Sequence, residues 1–165
     1  MVVDMLEELL EAGFPARRAL EVMNTAQVIG QEEIRISTID ISIFDLYEGT
    51  VDILKAGAST TFIRHQNGVE RICSTNLPLG VIQDLEIQSV HKHLQSGDFV
   101  IMITDGIMDA LPVGEQEFLL DTIIRGTSLN NPKEMAHHIL EQVLEWTGEE
   151  PMDDMTVLVV GIWRI

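Results

Sequence analysis

Apolar residues in this chain fall first at helical spacing, then at alternate positions, then at helical spacing again, and last in an unbroken run. Over residues 2–12, Val2, Met5, Leu6, Leu9 and Leu10 form one stripe with Glu7, Glu8 and Glu11 opposite, which predicts an amphipathic helix stopped by Gly13. The stripe is already running at Met1 and Val2, with no N-cap residue ahead of it. A second helix is predicted from Pro15, with Ala19, Val22, Met23 and Ala26 on one face.

The middle of the chain alternates. Ile39, Ile41 and Ile43 are interleaved with Asp40 and Ser42, and Glu48-Gly49 turns the chain into an apolar run at residues 51–55, so a hairpin is expected. Residues 60–65 and 69–74 form a second one about Gln66-Asn67-Gly68. The segment Asn76-Leu77-Pro78-Leu79-Gly80-Val81 reads as a loop and residues 85–90 as a strand. The Gly97-Asp98 turn then leads into Phe99-Val100-Ile101-Met102-Ile103, a run covered on both faces that stops at Thr104-Asp105-Gly106, where Asp105 is an acid held in a Gly turn. Helical spacing returns at residues 115–124 and 132–146, the latter opened by Asn131-Pro132. An acidic loop over 148–154 feeds the last apolar run, Val157 to Trp163.

Segregated runs of this kind predict an α+β fold, two antiparallel sheets packed as a sandwich and flanked by helices. The 165 residues, 45% of them hydrophobic, suit a single domain over 1–165. With 27 acidic against 10 basic residues the net charge is −17, which argues against nucleic acid or an anionic membrane as partner. One cysteine, Cys73, excludes an internal disulfide and suits a reducing cytoplasm; it reads as a small core residue. No apolar run is long enough to span a membrane and no leader pattern opens the chain, so no membrane contact is expected.

The acids at the two most apolar strands carry the candidate chemistry. Asp105 ends one run, and Asp153-Asp154 precedes the other. If the strands are antiparallel neighbours, Asp105 and Asp153 meet at one end of a sheet, where facing carboxylates call for a cation or a proton between them. Oxygen ligands suit Mg²⁺ or Mn²⁺, which when paired activate water and clamp a phosphoryl group. His91 and His93 share a strand face without a third ligand, and His137-His138 point apart on a helix. Asp109 reads as a turn cap.

Five segments in order, Ser37-Thr38-Ile39-Asp40-Ile41, Lys55 to Ile63, Leu77-Pro78-Leu79-Gly80, Thr104-Asp105-Gly106 and Asp153-Asp154-Met155-Thr156-Val157, resemble the metal-dependent, type 2C-like serine/threonine phosphatases of bacteria, most closely their sporulation-type members. The resemblance covers essentially the whole chain. It implies the helix-flanked sandwich, a two-metal Mn²⁺ or Mg²⁺ site, and direct attack of an activated water on a phosphoserine of a regulatory protein of the anti-anti-sigma type. It implies Asp105 and Asp153 as catalytic metal ligands, Asp154 in support of them where relatives often have Asn, and Gly106 letting the backbone pass close to the site. Full-length relatives are membrane-tethered with this domain in the cytoplasm.

The family also carries two further metal aspartates, one on an early strand and one in an Asp-Gly-x-Gly turn just before the first helix, which this chain does not contain. That implies a domain lacking its N-terminal strands, weak metal binding, and sheet edges open to a homodimer. The alternative is a non-catalytic module that binds phosphoproteins without hydrolysing them.

Overall fold

The computed structural model describes residues 2–30, 36–147 and 153–163. The chain divides into two compact units, one of Met1–Ala58 with Ser74–Lys92, the other of Ser59–Cys73 with His93–Ile165.

The first unit holds helices α1 (Val2–Glu11) and α2 (Ala16–Ile29) and a three-stranded sheet of β1 (Ile39–Asp45), β2 (Thr50–Ala56) and β5 (Gln88–His93), in the order β1-β2-β5. The alternation in β1 and the Glu48-Gly49 turn give the predicted antiparallel hairpin, with Ile39 opposite Ala56 and Asp45 opposite Thr50. Its core joins Ala16, Leu20 and Met23 of α2 to Ile39, Leu54, Ala56, Leu79, Leu85 and Ile87, with Met5, Leu6 and Leu9 of α1 packed against it. The buried stripe of α2 is Ala16, Ala19, Leu20, Met23 and Asn24, so Val22, read as inward, points out at 40% exposure. Helix α1 stops as its carbonyls turn back on the Gly13 and Phe14 amides, which bond to Leu10 and Leu9. Met1, which the sequence places in the stripe of α1, lies outside the described residues.

The second unit is a four-stranded sheet in the order β4-β3-β6-β7, formed by β3 (Thr61–His65), β4 (Gly68–Ile72), β6 (Phe99–Ile103) and β7 (Val157–Gly161), with helices α3 (Asp105–Asp109), α4 (Gln116–Gly126) and α5 (Pro132–Thr147). Every pair in it is antiparallel. Phe62, Phe99, Ile101 and Ile103 on one sheet face meet Leu120 and Ile124 of α4 and Met135, Ile139 and Val143 of α5. Each such side chain contributes about 1.5–3 kcal/mol by leaving water. Asn131 caps α5 as its neighbouring Pro suggested, its Oδ1 accepting the amides of Lys133 and Glu134 at 2.9 and 3.2 Å.

The α+β class with two antiparallel sheets and helices is as the pattern predicted. Three local readings are corrected. The second hairpin has a two-residue loop, Gln66-Asn67, because His65 pairs with Gly68; among the described residues no non-glycine has positive φ, so the Asn-Gly pair is not the centre of the turn. The strand expected at 85–90 starts later, at Gln88, since Leu85 and Ile87 are drawn into the core below α2 before pairing begins. Cys73 lies one residue beyond β4 and is exposed rather than buried.

Candidate active site

Strands β6 and β7 are adjacent and antiparallel, with Ile103 opposite Val157. That register alone brings the residues after Ile103 and before Val157 to one end of the sheet. The ladder continues past both strands: the Thr104 amide donates to the Thr156 carbonyl at 3.1 Å, and the Thr156 amide donates to the Thr104 hydroxyl oxygen at 2.9 Å. The Thr104 hydroxyl in turn donates to the Asp154 carbonyl at 3.2 Å. Two threonines, one from each motif, thus tie the two acid-bearing turns together.

Asp105 is the first residue of α3, and Thr104 ahead of it is extended, with φ −83° and ψ 164°. The sequence read this place as a Gly turn; the structure continues it into a short helix. Asp105 is exposed, whereas Gly106 behind it is buried. A Cβ on Gly106 would clash with the carbonyl oxygen of Asp154 and stand 3.0 Å from its carbonyl carbon and 3.5 Å from that of Asp153. Only glycine permits this approach. The two turns therefore meet backbone to backbone, with Asp105 on one and Asp153 on the other.

Both acids are fixed locally through Oδ1, which accepts the Gly106 amide at 3.2 Å in Asp105 and the Asp154 amide at 2.7 Å in Asp153. Asp153 and Asp154 are exposed like Asp105. Asp154 joins the arrangement through its carbonyl, which the Thr104 hydroxyl and Gly106 both approach. Neither threonine is singled out by the sequence, although Thr104 adjoins Asp105 and Thr156 follows Asp154 by two residues.

Among the described residues no three His, Cys, Asp or Glu side chains are grouped to hold a metal ion. The pair Asp105 and Asp153 offers hard oxygen donors in an exposed setting. That suits a cation of the Mg²⁺ or Mn²⁺ class, which keeps several waters and takes one or two carboxylates together with substrate phosphate. His91 instead meets the Asp52 carboxylate, 2.7 Å from Nδ1. The Cys73 thiol faces Glu117 Oε1 at 3.4 Å. Glu117 also accepts the Thr60 hydroxyl at 2.8 Å, which holds its carboxyl below the usual range, with the Cys73 and Arg71 contacts adding to the effect. No described helix is long and apolar enough to cross a membrane.

The model of the family "Stage II sporulation protein E (SpoIIE)" matches residues 1–163. Stage II sporulation protein E of Bacillus subtilis (strain 168) is 31% identical over 161 residues, which is 97% of this chain and 20% of that protein. The chain thus spans about a fifth of the length of that curated relative. A solved structure of the PP2C phosphatase domain and a fragment of the regulatory domain of SpoIIE from Bacillus subtilis superposes with a TM-score of 0.88 at 31% identity, over 98% of this chain and 49% of that one. The phosphatase domain of the same protein presoaked with Mn gives 0.76 at 28% identity, over 99% of this chain and 74% of that one. The β6–β7 acids thus stand on a fold shared with PP2C phosphatase domains, and the chain belongs to the stage II sporulation protein E family.

Proposed function

We infer that this chain serves in a metal-dependent protein serine/threonine phosphatase, with Asp105 and Asp153 as catalytic metal ligands. The observation that carries this reading is the backbone contact of Gly106 with Asp153-Asp154, which sets two carboxylate-bearing turns against each other at the end of β6 and β7. A divalent cation held there supplies a water of lowered pKa and a counter-charge for phosphoryl oxygens. Asp105 and Asp153 bind and orient that cation. Asp154 supports the site through its carbonyl, and the Thr104–Thr156 bonds hold the spacing. Gly106 keeps the approach open.

The reading extends to Mn²⁺ or Mg²⁺ as the metal and to a phosphorylated regulatory protein of the anti-anti-sigma type as substrate. It places the chain in the cytoplasm, as part of a membrane-tethered protein. The test has two readouts. Mn²⁺ binding to the chain, followed by the loss of free-ion electron paramagnetic resonance signal, should weaken in Asp105→Asn and Asp153→Asn. Hydrolysis of p-nitrophenyl phosphate or a phosphoserine peptide should require metal and vanish in the same variants. Mn²⁺ binding indifferent to both substitutions would sink the assignment of these residues.

A further inference from the structure

The two segments that meet at the end of β6 and β7, residues 104–118 and 153–157, carry Asp105, Asp109, Glu115, Glu117, Asp153 and Asp154 and not one Lys or Arg. The chain as a whole bears −17. A phosphorylated serine brings a further charge of about −1.5 to −2. Readers of phosphoproteins commonly meet that charge with clusters of Arg, and these segments have none to offer. A cation between Asp105 and Asp153 answers the phosphate but does nothing for the protein around it. Charge here repels an anionic partner, so affinity for its protein part has to come from apolar contact.

Within the two segments, the large apolar side chains left exposed are Val113, at 95%, and Phe118, at 66%. Val113 does not sit on a loose tip. Leu111 before it is anchored in the core, and the Leu111 amide donates to the Met108 carbonyl at 3.1 Å. The Glu115 amide donates to the Pro112 carbonyl at 3.0 Å, which closes a turn around Val113 and Gly114. Gly114 takes a left-handed φ of 87°, and its amide donates to Gln116 Oε1 at 2.7 Å. Phe118 follows on the first turn of α4, outside the buried stripe of Leu120, Asp121 and Ile124. Anchors held in place before contact lose little conformational freedom on binding.

Their distance from the acids suits a macromolecular substrate. The helix from Asp105 to Asp109 rises ~6 Å and the next four residues span at most ~14 Å, so Val113 stands within ~20 Å of Asp105. The turn bonds draw it closer than that limit. A protein bound through an interface of ordinary size covers about 800 Å² of its partner, a disc of about 16 Å radius. A small phosphoester centred on the acids does not reach so far.

We propose that Val113 and Phe118 are the apolar anchors on which the protein part of an anionic phosphoprotein substrate docks, a proposal that rests on the phosphatase reading of Asp105 and Asp153. Fluorescence anisotropy in Mn²⁺ tests it through the Kd of a labelled, serine-phosphorylated protein of the anti-anti-sigma type, a readout that needs no turnover. In the double variant Val113→Ser with Phe118→Ser the Kd should rise at least ~10-fold, the scale of lost interface anchors, while Mn²⁺ affinity stays that of the unaltered chain. Val113→Ile with Phe118→Leu keeps the apolar surface and should bind as the unaltered chain does. Both positions are exposed, so neither pair of changes removes the fold. An unchanged Kd in the serine double variant overturns the proposal and leaves the phosphatase reading standing. A raised Kd accompanied by weaker Mn²⁺ binding also overturns it, because the changes would then act through the metal site, and so does an unaltered chain that does not bind the phosphoprotein. Mn²⁺ binding indifferent to Asp105→Asn is the separate result that removes the reading beneath it.

Discussion

The carbonyl oxygen of Asp154 lies too close to Gly106 for any side chain to begin there. Two segments far apart in sequence are thereby packed with no side chain between them, and the spacing of the acids on either side depends on that contact.

Gly106→Ala must push the two turns apart. Overpacking of this kind costs about 1–3 kcal/mol, and the separation of Asp105 from Asp153 grows with it. Urea unfolding should show the loss of stability. Titration with Mn²⁺ should show weaker binding than in the unaltered chain under conditions where both are folded; unchanged affinity would argue that the acids do not act jointly.

Replacing Asp154 by Asn keeps its carbonyl contacts and removes only a charge near the site. In the proposed supporting role such a position changes metal affinity by about 10- to 100-fold, and the neutral substitution should sit at the low end. Asp105→Asn and Asp153→Asn each remove a proposed ligand and should do more damage. Isothermal titration with Mn²⁺ orders the three variants, and a larger effect at Asp154 than at Asp105 contradicts the division of roles between ligand and support.

Glu117 gives the second unit a pH dependence of known sign. The Thr60 hydroxyl, and after it the Cys73 and Arg71 contacts, hold its carboxyl below its ordinary value in the folded chain. A carboxyl depressed on folding stabilises the protein above its unfolded pKa, about 4.3, and that contribution fades as pH falls through the folded value. Thr60→Val should therefore lower the urea midpoint at neutral pH and lose this part of its effect in acid. A gap between the two proteins that stays constant down to strongly acidic pH would refute the linkage.

Lys55 and Asp40 stand directly opposite each other in β1 and β2, with Nζ 2.5 Å from Oδ2, and Lys55 is 1% exposed. Removing one member of a buried pair commonly destabilises by about 3–5 kcal/mol, because the other charge stays behind. Lys55→Met should show that loss in chemical denaturation. The double variant Lys55→Met with Asp40→Leu should recover most of it, and a double variant worse than the sum of the two singles would show that the pair is not the source.

Strand β7 is the last in its sheet among the described residues, and Val157-Leu158-Val159-Val160-Gly161 carries no charge or proline to guard the edge. Self-association through it is the expected outcome in sedimentation velocity, reduced by Leu158→Lys at this outward, 53% exposed position. A monodisperse monomer of the unaltered chain removes the idea.

The alternation of Ile39, Ile41 and Ile43 and the apolar run before Asp105 were sufficient to place the strands, because a strand's two faces impose a period of two and a covered strand imposes none. The β6–β7 pairing was only a condition on which the mirrored acids would meet, and the register of the strands supplies it. The helix at Asp105 was not legible, since Asp-Gly favours a turn locally and only the bonds from Thr104 and the contact with Asp154 settle the path of the chain. Asn24 was equally silent: a polar residue inside an apolar stripe gains its meaning from carbonyls nearly sixty residues away. Cys73 was misplaced because its apolar neighbour Ile72 is buried and the strand ends between them.

The order in which the two units share the chain has a consequence during synthesis. Residues 59–73 leave the ribosome between the two halves of the first unit, and their hairpin belongs to a sheet whose next strand begins only at Phe99. Domains tend to fold as they emerge, N-terminal parts first. When residue 92 has been made, every residue of the first unit is present, while Phe62 and Ile63, both wholly buried in the finished protein, still await β6 and the helices after it. The hairpin of β3 and β4 therefore lacks its neighbouring strand until β6 has also emerged, which orders completion of the second unit after that of the first.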